Sequence, residues 1–221
     1  NDYIQQGIDM VPDYFMFNFG GRSGKFVLTQ QGREVVQQKY SDIYIEPIEG
    51  PNDGNPAGIQ GWKVIDDYGN TYYFGLSKDG NRKARDYDLS STSYRTPQSG
   101  QPALLGTSAD RYANTWHLME IETPFNESVR FYYELSDVEE ISVTRRSYDR
   151  NENGVQVSYY SKSTTVEHQI SSIHFNTGVV EFVRTVARED LNGANRLEHV
   201  RLKDTSGKIV KEYQFQYEYT T

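Results

Sequence analysis

The sequence predicts an all-β protein of antiparallel hairpins and meanders, forming two packed or strongly curved sheets with very little helix. Three observations carry that expectation. Apolar and polar residues alternate with a period of two over several segments, the pattern of a half-buried strand. Between those segments stand Gln31-Gly32, Tyr68-Gly69-Asn70, Asp79-Gly80-Asn81, Asn153-Gly154, Asn176-Thr177-Gly178, Asn192-Gly193 and Ser206-Gly207, where Gly and Asn supply the positive φ of tight turns. Finally, 14% of the 221 residues are aromatic, with 18 Tyr and 10 Phe, although only 36% are hydrophobic. Large half-polar rings suit sheet faces better than helix bundles. Strand is expected in more than about 40% of residues and helix in less than about 10%, against the usual ~20–25% strand.

Taken in order, Tyr14–Phe19 places Phe15, Phe17 and Phe19 on one face and Tyr14, Met16 and Asn18 on the other. The glycines that follow, within "FNFGGRSGKFVL", read as a turn that lets two aromatic strands meet. Residues 32–40 fit the return strand of a hairpin through Val35-Val36. Residues 50–61, with four Gly and two Pro, read as loop. So does the mostly polar stretch Ser77–Thr115, in which residues 108–114 have the makings of one helical turn. Segments Trp62–Gly75 and Leu197–Tyr217 share a plan of apolar strand, Asp, Gly turn and Tyr/Phe-rich strand. Trp116–Glu134 and Ile170–Val183 follow it more loosely. Each such hairpin is marginal alone, so side-by-side stacking around a shared aromatic face is expected. That face should include Phe15, Phe17, Trp62, Phe74, Trp116, Phe131, Phe182 and Phe215. The strictly alternating "EYQFQYEY", Glu212–Tyr219, should bury its Tyr/Phe side.

The length suffices for one β-rich domain spanning residues 1–221, with a core that needs neither metal nor disulfide. A net charge of −8 gives no electrostatic footprint for nucleic acid or an anionic membrane. No apolar run approaches the ~20 residues of a membrane helix. The absence of Cys at this size decides nothing about compartment. The first residue is Asn1, and Tyr219-Thr220-Thr221 follows directly on a strand-like run. Both ends read as cuts, so the chain is expected to be a piece of a longer polypeptide.

No catalytic signature emerges. A P-loop ending at Gly24-Lys25 would need Gly at 19 and a hydroxyl at 26, where the chain has Phe19 and Phe26. The segment Asp149–Gly154, "DRNENG", begins like a calcium loop, but Tyr160 stands where the bidentate Glu belongs. The four histidines, His117, His168, His174 and His199, form no H-x-x-x-H pair, and no nucleophile elbow is present. No cofactor or metal is therefore expected. Glu120 with Glu122, and Asp86 with Asp88, are the carboxylate pairs a glycosidase would need; among 31 acidic residues they read as solvated strand faces. Tyr72, Tyr73, Tyr132 and Tyr159 are candidate ligand-binding rings, since flat faces stack on sugars and peptides. Cross-strand packing is the competing role for the same rings.

Five segments in sequence, "VPDYFMFNFGGRSGKFVL", "GWKVIDDYGNTYYFG", "NTWHLMEIETPFNESVRFYYE", "ISSIHFNTGVVEFV" and "RLEHVRLKDTSGKIVKEYQFQYEY", span Pro12 to Tyr219. Together the chain resembles the N-terminal β-rich domain found upstream of RHS/YD repeats in large exported Bacteroidetes proteins. The resemblance implies a scaffold domain at the cell surface or secreted, partnered by the rest of its own polypeptide, with no catalytic residues. Tandem YD repeats proper are missing, so an enclosing role does not carry over. The expected function is a non-enzymatic structural domain. A glycan- or peptide-binding module using surface tyrosines is the alternative, and a paired-carboxylate glycosidase a third.

Overall fold

A computed structural model describes residues 14–29, 34–50, 58–97, 103–108, 112–149, 155–191 and 193–218. Among them there are seventeen strands and no helix, and every strand pairing is antiparallel. The first three strands, β1 (Tyr14–Phe19), β2 (Arg22–Leu28) and β3 (Val35–Gln37), form a small sheet. Gly20 and Gly21, with φ of 54° and 76°, make the two-residue turn between β1 and β2. Gly24 is needed for a different reason: a Cβ there would lie 2.6 Å from the Phe17 ring. The glycines of the opening segment thus serve a hairpin and its packing.

The large sheet has twelve strands. They are β4 (Ile43–Glu49), β5 (Ile59–Asp66), β6 (Thr71–Phe74), β7 (Arg85–Pro97), β8 (Ala103–Ser108), β9 (Tyr112–Trp116), β10 (Leu118–Glu122), β11 (Ser128–Asp149), β12 (Val155–Phe175), β13 (Gly178–Val183), β16 (His199–Asp204) and β17 (Ile209–Gln214). A two-stranded ribbon, β14 (Val186–Ala187) with β15 (Asn195–Arg196), sits between β13 and β16 in the chain. The main path runs β4-β5-β6-β10-β11-β12-β13-β16-β17, so along it spatial order follows chain order, while β7, with β8 and β9 beside it, leaves the path to pair with β12. β11 and β12 are long enough, at 22 and 21 residues, to extend beyond their neighbours. The second side of β12 is shared: Ser172–Phe175 pairs with β13, and Val157–Val166 with β7.

The core lies where the small sheet packs on β4–β6. Alternation along β1 turns Phe15, Phe17 and Phe19 inward, as expected, while Tyr14, Met16 and Asn18 face out. Phe19, Phe26, Ile43, Ile45, Ile59, Trp62 and Val64 are buried together, with Phe15, Phe17, Phe74 and Trp116 packed against them. The rings meet mostly edge to face: Trp62 lies 5.0 Å from Phe15, 5.1 Å from Phe26 and 5.8 Å from Trp116 between centroids. Such tilted pairs match the positive edge of one ring to the negative face of the next.

Several expectations are corrected. The stretch Ser77–Thr115 contains β7, β8 and most of β9 rather than one long loop. Its Ser/Thr-rich sequence lacks apolar alternation, and its strand character comes from distant pairing with β12, which local pattern does not register. Of the helical turn expected at 108–114, Ser108 instead ends β8 and Tyr112–Asn114 lie in β9, while 109–111 are outside the described residues. Of the loop expected at 50–61, residues 51–57 are outside the described residues, but Ile59–Gly61 opens β5 and is buried. The last correction concerns the C-terminal aromatic face. Tyr213, Phe215 and Tyr217 are 53%, 43% and 44% exposed, because β17 is the outermost strand and, among the described residues, no second layer covers it. Phe131 and Phe182 are half-buried and lie outside the core cluster, on the single-layer part of the sheet. The turn of the DRNENG segment, 150–154, falls outside the described residues; β11 and β12 pair on either side of it.

Candidate functional site

The four tyrosines proposed for ligand binding do not form one surface. Tyr72 belongs to the core: its ring is 4.7 Å from Phe19, and its hydroxyl donates to Asp66 Oδ2 at 2.9 Å. Burial and that neighbouring carboxylate raise its pKa. Tyr132 is flanked on two sides, by the Arg82 guanidinium 4.5 Å from its centroid and by His174 at the same centroid separation. Tyr73 is half-buried, with a pKa raised by burial and by Glu122. Tyr159 lies far along β12, opposite Arg145 of β11 and Arg95 of β7. Tyr72 and Tyr132 thus make packing or hydrogen-bonding contacts within the sheet.

Around Tyr132 lies a charged basin formed by Lys78, Asp79, Arg82, Glu120, Glu122 and Arg130. Glu120 was expected on a solvated face but is only 4% exposed. Its Oε1 accepts from Arg130 Nε at 3.1 Å, and Oε2 lies 3.6 Å from Arg82. Burying a carboxylate is costly unless opposite charge is placed beside it, and two guanidinium groups stand there. Glu122 accepts from Lys78 Nζ at 2.6 Å. Arg82 also donates to the Phe131 carbonyl at 2.9 Å, so the 77–82 turn is clamped onto β11. Both carboxylates are already engaged in ion pairs.

A second polar cluster sits where β12 changes partners. The amide of His168 falls between the residues that pair with β7 and those that pair with β13, and Asp86 Oδ1 accepts from it at 2.7 Å. The same carboxylate meets His168 Nδ1 at 3.1 Å and, through Oδ2, His117 Nε2 at 2.8 Å. Burial pushes the Asp86 pKa upward, but hydrogen bonds from both histidines outweigh it and hold the group at about 2. Tyr133, 5.0 Å from the His117 ring, donates to the Leu118 carbonyl at 2.7 Å. Its pKa is pushed up to about 12 by burial and by Asp86. Asp86, too, was expected on a wet face. Sequence could not have found this cluster, because its members are 31 and 82 residues apart.

The feature that sequence did signal is the repeated turn. In β5–β6, Asp66 Oδ1 accepts from the amides of Tyr68 and Asn70, both at 2.9 Å, while Gly69 donates to the Asp66 carbonyl. In β16–β17, Asp204 Oδ1 accepts from Ser206 at 2.9 Å and Lys208 at 3.0 Å, while Gly207 donates to the Asp204 carbonyl. In β10–β11, Thr123 Oγ1 takes the carboxylate's place, accepting from Phe125 and Glu127, and Asn126 donates to the Thr123 carbonyl. The fourth residue has positive φ in all three: 80° at Gly69, 60° at Asn126 and 84° at Gly207. Gly and Asn are the residues that tolerate this conformation. The registers Thr71–Glu122, Glu122–Ser128, Arg130–His174 and Gly178–Asp204 bring these turns, and the β12–β13 turn, to one end of the sheet.

Beyond the last turn, β17 has β16 on one side only, and every one of its residues is exposed. Ile209, Val210 and Tyr213 in the strand, with Phe215 and Tyr217 after it, make an apolar edge. Compared with known proteins, the chain matches no family model, no curated protein and no solved structure.

Proposed function

We propose that this chain is a non-enzymatic structural module of a larger cell-surface or secreted protein of the RHS/YD-associated kind. Its work is to extend one β-sheet hairpin by hairpin. The supporting observation is the three-fold recurrence of one side-chain-capped turn, at 66–70, 123–127 and 204–208, along a main path of strands that follows chain order, with β7–β9 branching from it. Units that contact mainly their neighbours build quasi-one-dimensional scaffolds, which grow by adding the next unit at the end. The exposed apolar edge at β17 is where such growth continues, because an uncovered strand edge is a template for pairing. The module's partner is thus the rest of its own polypeptide. Placement outside the cell rests on the family resemblance alone.

Hydrogen exchange tests the reading. The β17 amides are followed in this chain and in the polypeptide extended by the residues that follow it in the gene. The module reading expects strong additional protection across Ile209–Gln214 in the longer polypeptide. A gene that ends at Thr221, or unchanged exchange in the longer chain, refutes it.

A further inference from the structure

An open basin of about 690 Å³ is walled by β12, β15 and the segment after β17. Three arginines line it, Arg184, Arg188 and Arg196, with Tyr217 beside them. Arg188 is occupied, since it donates to Asp190 through Nε at 3.0 Å and Nη2 at 2.7 Å. The other two have no ion pair among the described residues, although the chain carries 31 acidic residues against 23 Lys and Arg. Arg184 donates through Nη1 to the Ile170 carbonyl, and Arg196 lies 5.8 Å from the Tyr217 ring centroid and makes no hydrogen bond. Arg184 Nε and Nη2 and both terminal nitrogens of Arg196 are neither buried nor bonded, so they are open to an incoming acceptor. The neighbouring carboxylates do not neutralise them. Asp190 belongs to Arg188, Glu198 accepts from the Thr185 amide at 3.1 Å and from its hydroxyl, and Glu134 and Glu218 stand exposed without an ion pair. Burial pulls the Arg184 pKa below the usual arginine value, with Glu134 and Tyr217 offsetting it in part. A half-buried cation without an anion beside it is costly, which makes this pair an exception among the basic residues of the sheet.

We propose that this basin binds a tetrahedral oxyanion, phosphate or sulfate, free or as an ester on a larger molecule, through Arg184 and Arg196. Each guanidinium presents a rigid fork of donors that takes two oxygens at a time. A carboxylate has two oxygens and one charge, enough for one fork, whereas a tetrahedral dianion has oxygens and charge for both. Tyr217 helps to fix the arrangement: its hydroxyl donates to the Leu197 carbonyl at 2.6 Å, which holds the ring beside the Arg196 guanidinium. Gln169 and Asn195, also in the lining, bring amide donors without adding charge. The basin is open on one side, so the group that carries an esterified oxyanion has room to project outward. This site is separate from the sheet-extending role: both arginines come from the stretch 184–196, at the far end of β16–β17 from the 204–208 turn.

Calorimetric titration of the protein with sodium phosphate, sulfate and acetate, near neutral pH and at constant ionic strength, tests the site. Phosphate and sulfate should bind saturably at one site and compete with each other. Acetate should bind about tenfold more weakly, because one fork is left without oxygens. Arg184→Gln and Arg196→Gln should each weaken phosphate binding about tenfold or more, the loss of a charge-assisted hydrogen bond. Lys208→Gln removes the same charge at the far turn and should leave binding unchanged. If Arg184→Gln does not fold for want of its bond to Ile170, Arg196→Gln decides alone, since Arg196 makes no hydrogen bond to another element. Phenyl phosphate identifies the source: binding at least as tight as that of inorganic phosphate marks an esterified ligand, and weaker binding marks the free ion. No saturable binding of phosphate or sulfate, acetate bound as tightly, weakening by Lys208→Gln equal to that of the arginine variants, or unchanged binding in Arg196→Gln would each overturn the proposal.

Discussion

Replacing Asp86 by Asn should remove a pH-dependent component of stability that the structure localises to one carboxylate. In the folded chain Asp86 titrates at about 2, against 3.8 for the free side chain. Its side chain is only 15% exposed, so solvent screens the interaction little. A folded pKa below the unfolded one means the unfolded chain binds the proton more readily, and stability is lost as pH falls. At neutral pH the drop from 3.8 to about 2 corresponds to about 2 kcal/mol. The contribution is present above the unfolded value of 3.8 and is lost as pH falls through the folded value of about 2. The assay is urea unfolding, read by tryptophan fluorescence, of both proteins at pH 6 and pH 2. Asp79, Asp204 and other carboxylates with lowered pKa also contribute to the acid loss, so the informative quantity is the difference between the two proteins at each pH. That difference should be about 2 kcal/mol at pH 6 and shrink nearly to zero at pH 2. A difference that stays constant with pH would show that Asp86 acts through shape alone and that the His117–Asp86–His168 bonding does not hold the charge.

Two further substitution pairs test the packing. Gly75 and Gly80 have nearly equal positive φ, 73° and 74°, but a Cβ at Gly75 would lie 2.4 Å from Trp116 Cδ1 while one at Gly80 meets nothing. Gly80→Ala should therefore cost only the backbone strain, about 1 kcal/mol, and Gly75→Ala about 3 kcal/mol with altered Trp emission; equal melting shifts would refute the Trp116 placement. Phe26→Ala, at a 4% exposed ring packed on Phe15 and Trp62, should cost about 3–5 kcal/mol, whereas Phe215→Ala should cost less than about 1. Thermal melts with similar losses for both would mean that β17 is covered after all.

How much of this was legible depends on the range over which each feature is determined. The all-β class, the β1–β2 hairpin and the faces of Phe15, Phe17 and Phe19 were readable because period-two alternation and Gly turns are local. The turn at 66–70 and its relative at 204–208 were readable for the same reason: an Asp followed three residues later by Gly defines both. Tertiary structure alone decided the rest. A Ser/Thr-rich stretch became β7 only because β12 is long enough to pair with it. Glu120 and Asp86 went from presumed wet faces to ion-paired and hydrogen-bonded sites because Arg82, Arg130, His117 and His168 arrive from neighbouring strands and connections. The C-terminal strand shows the limit most plainly. Its alternation determined which residues share a face, but whether that face is buried depends on a second layer, and burial is a property of what packs against a strand, never of its own pattern.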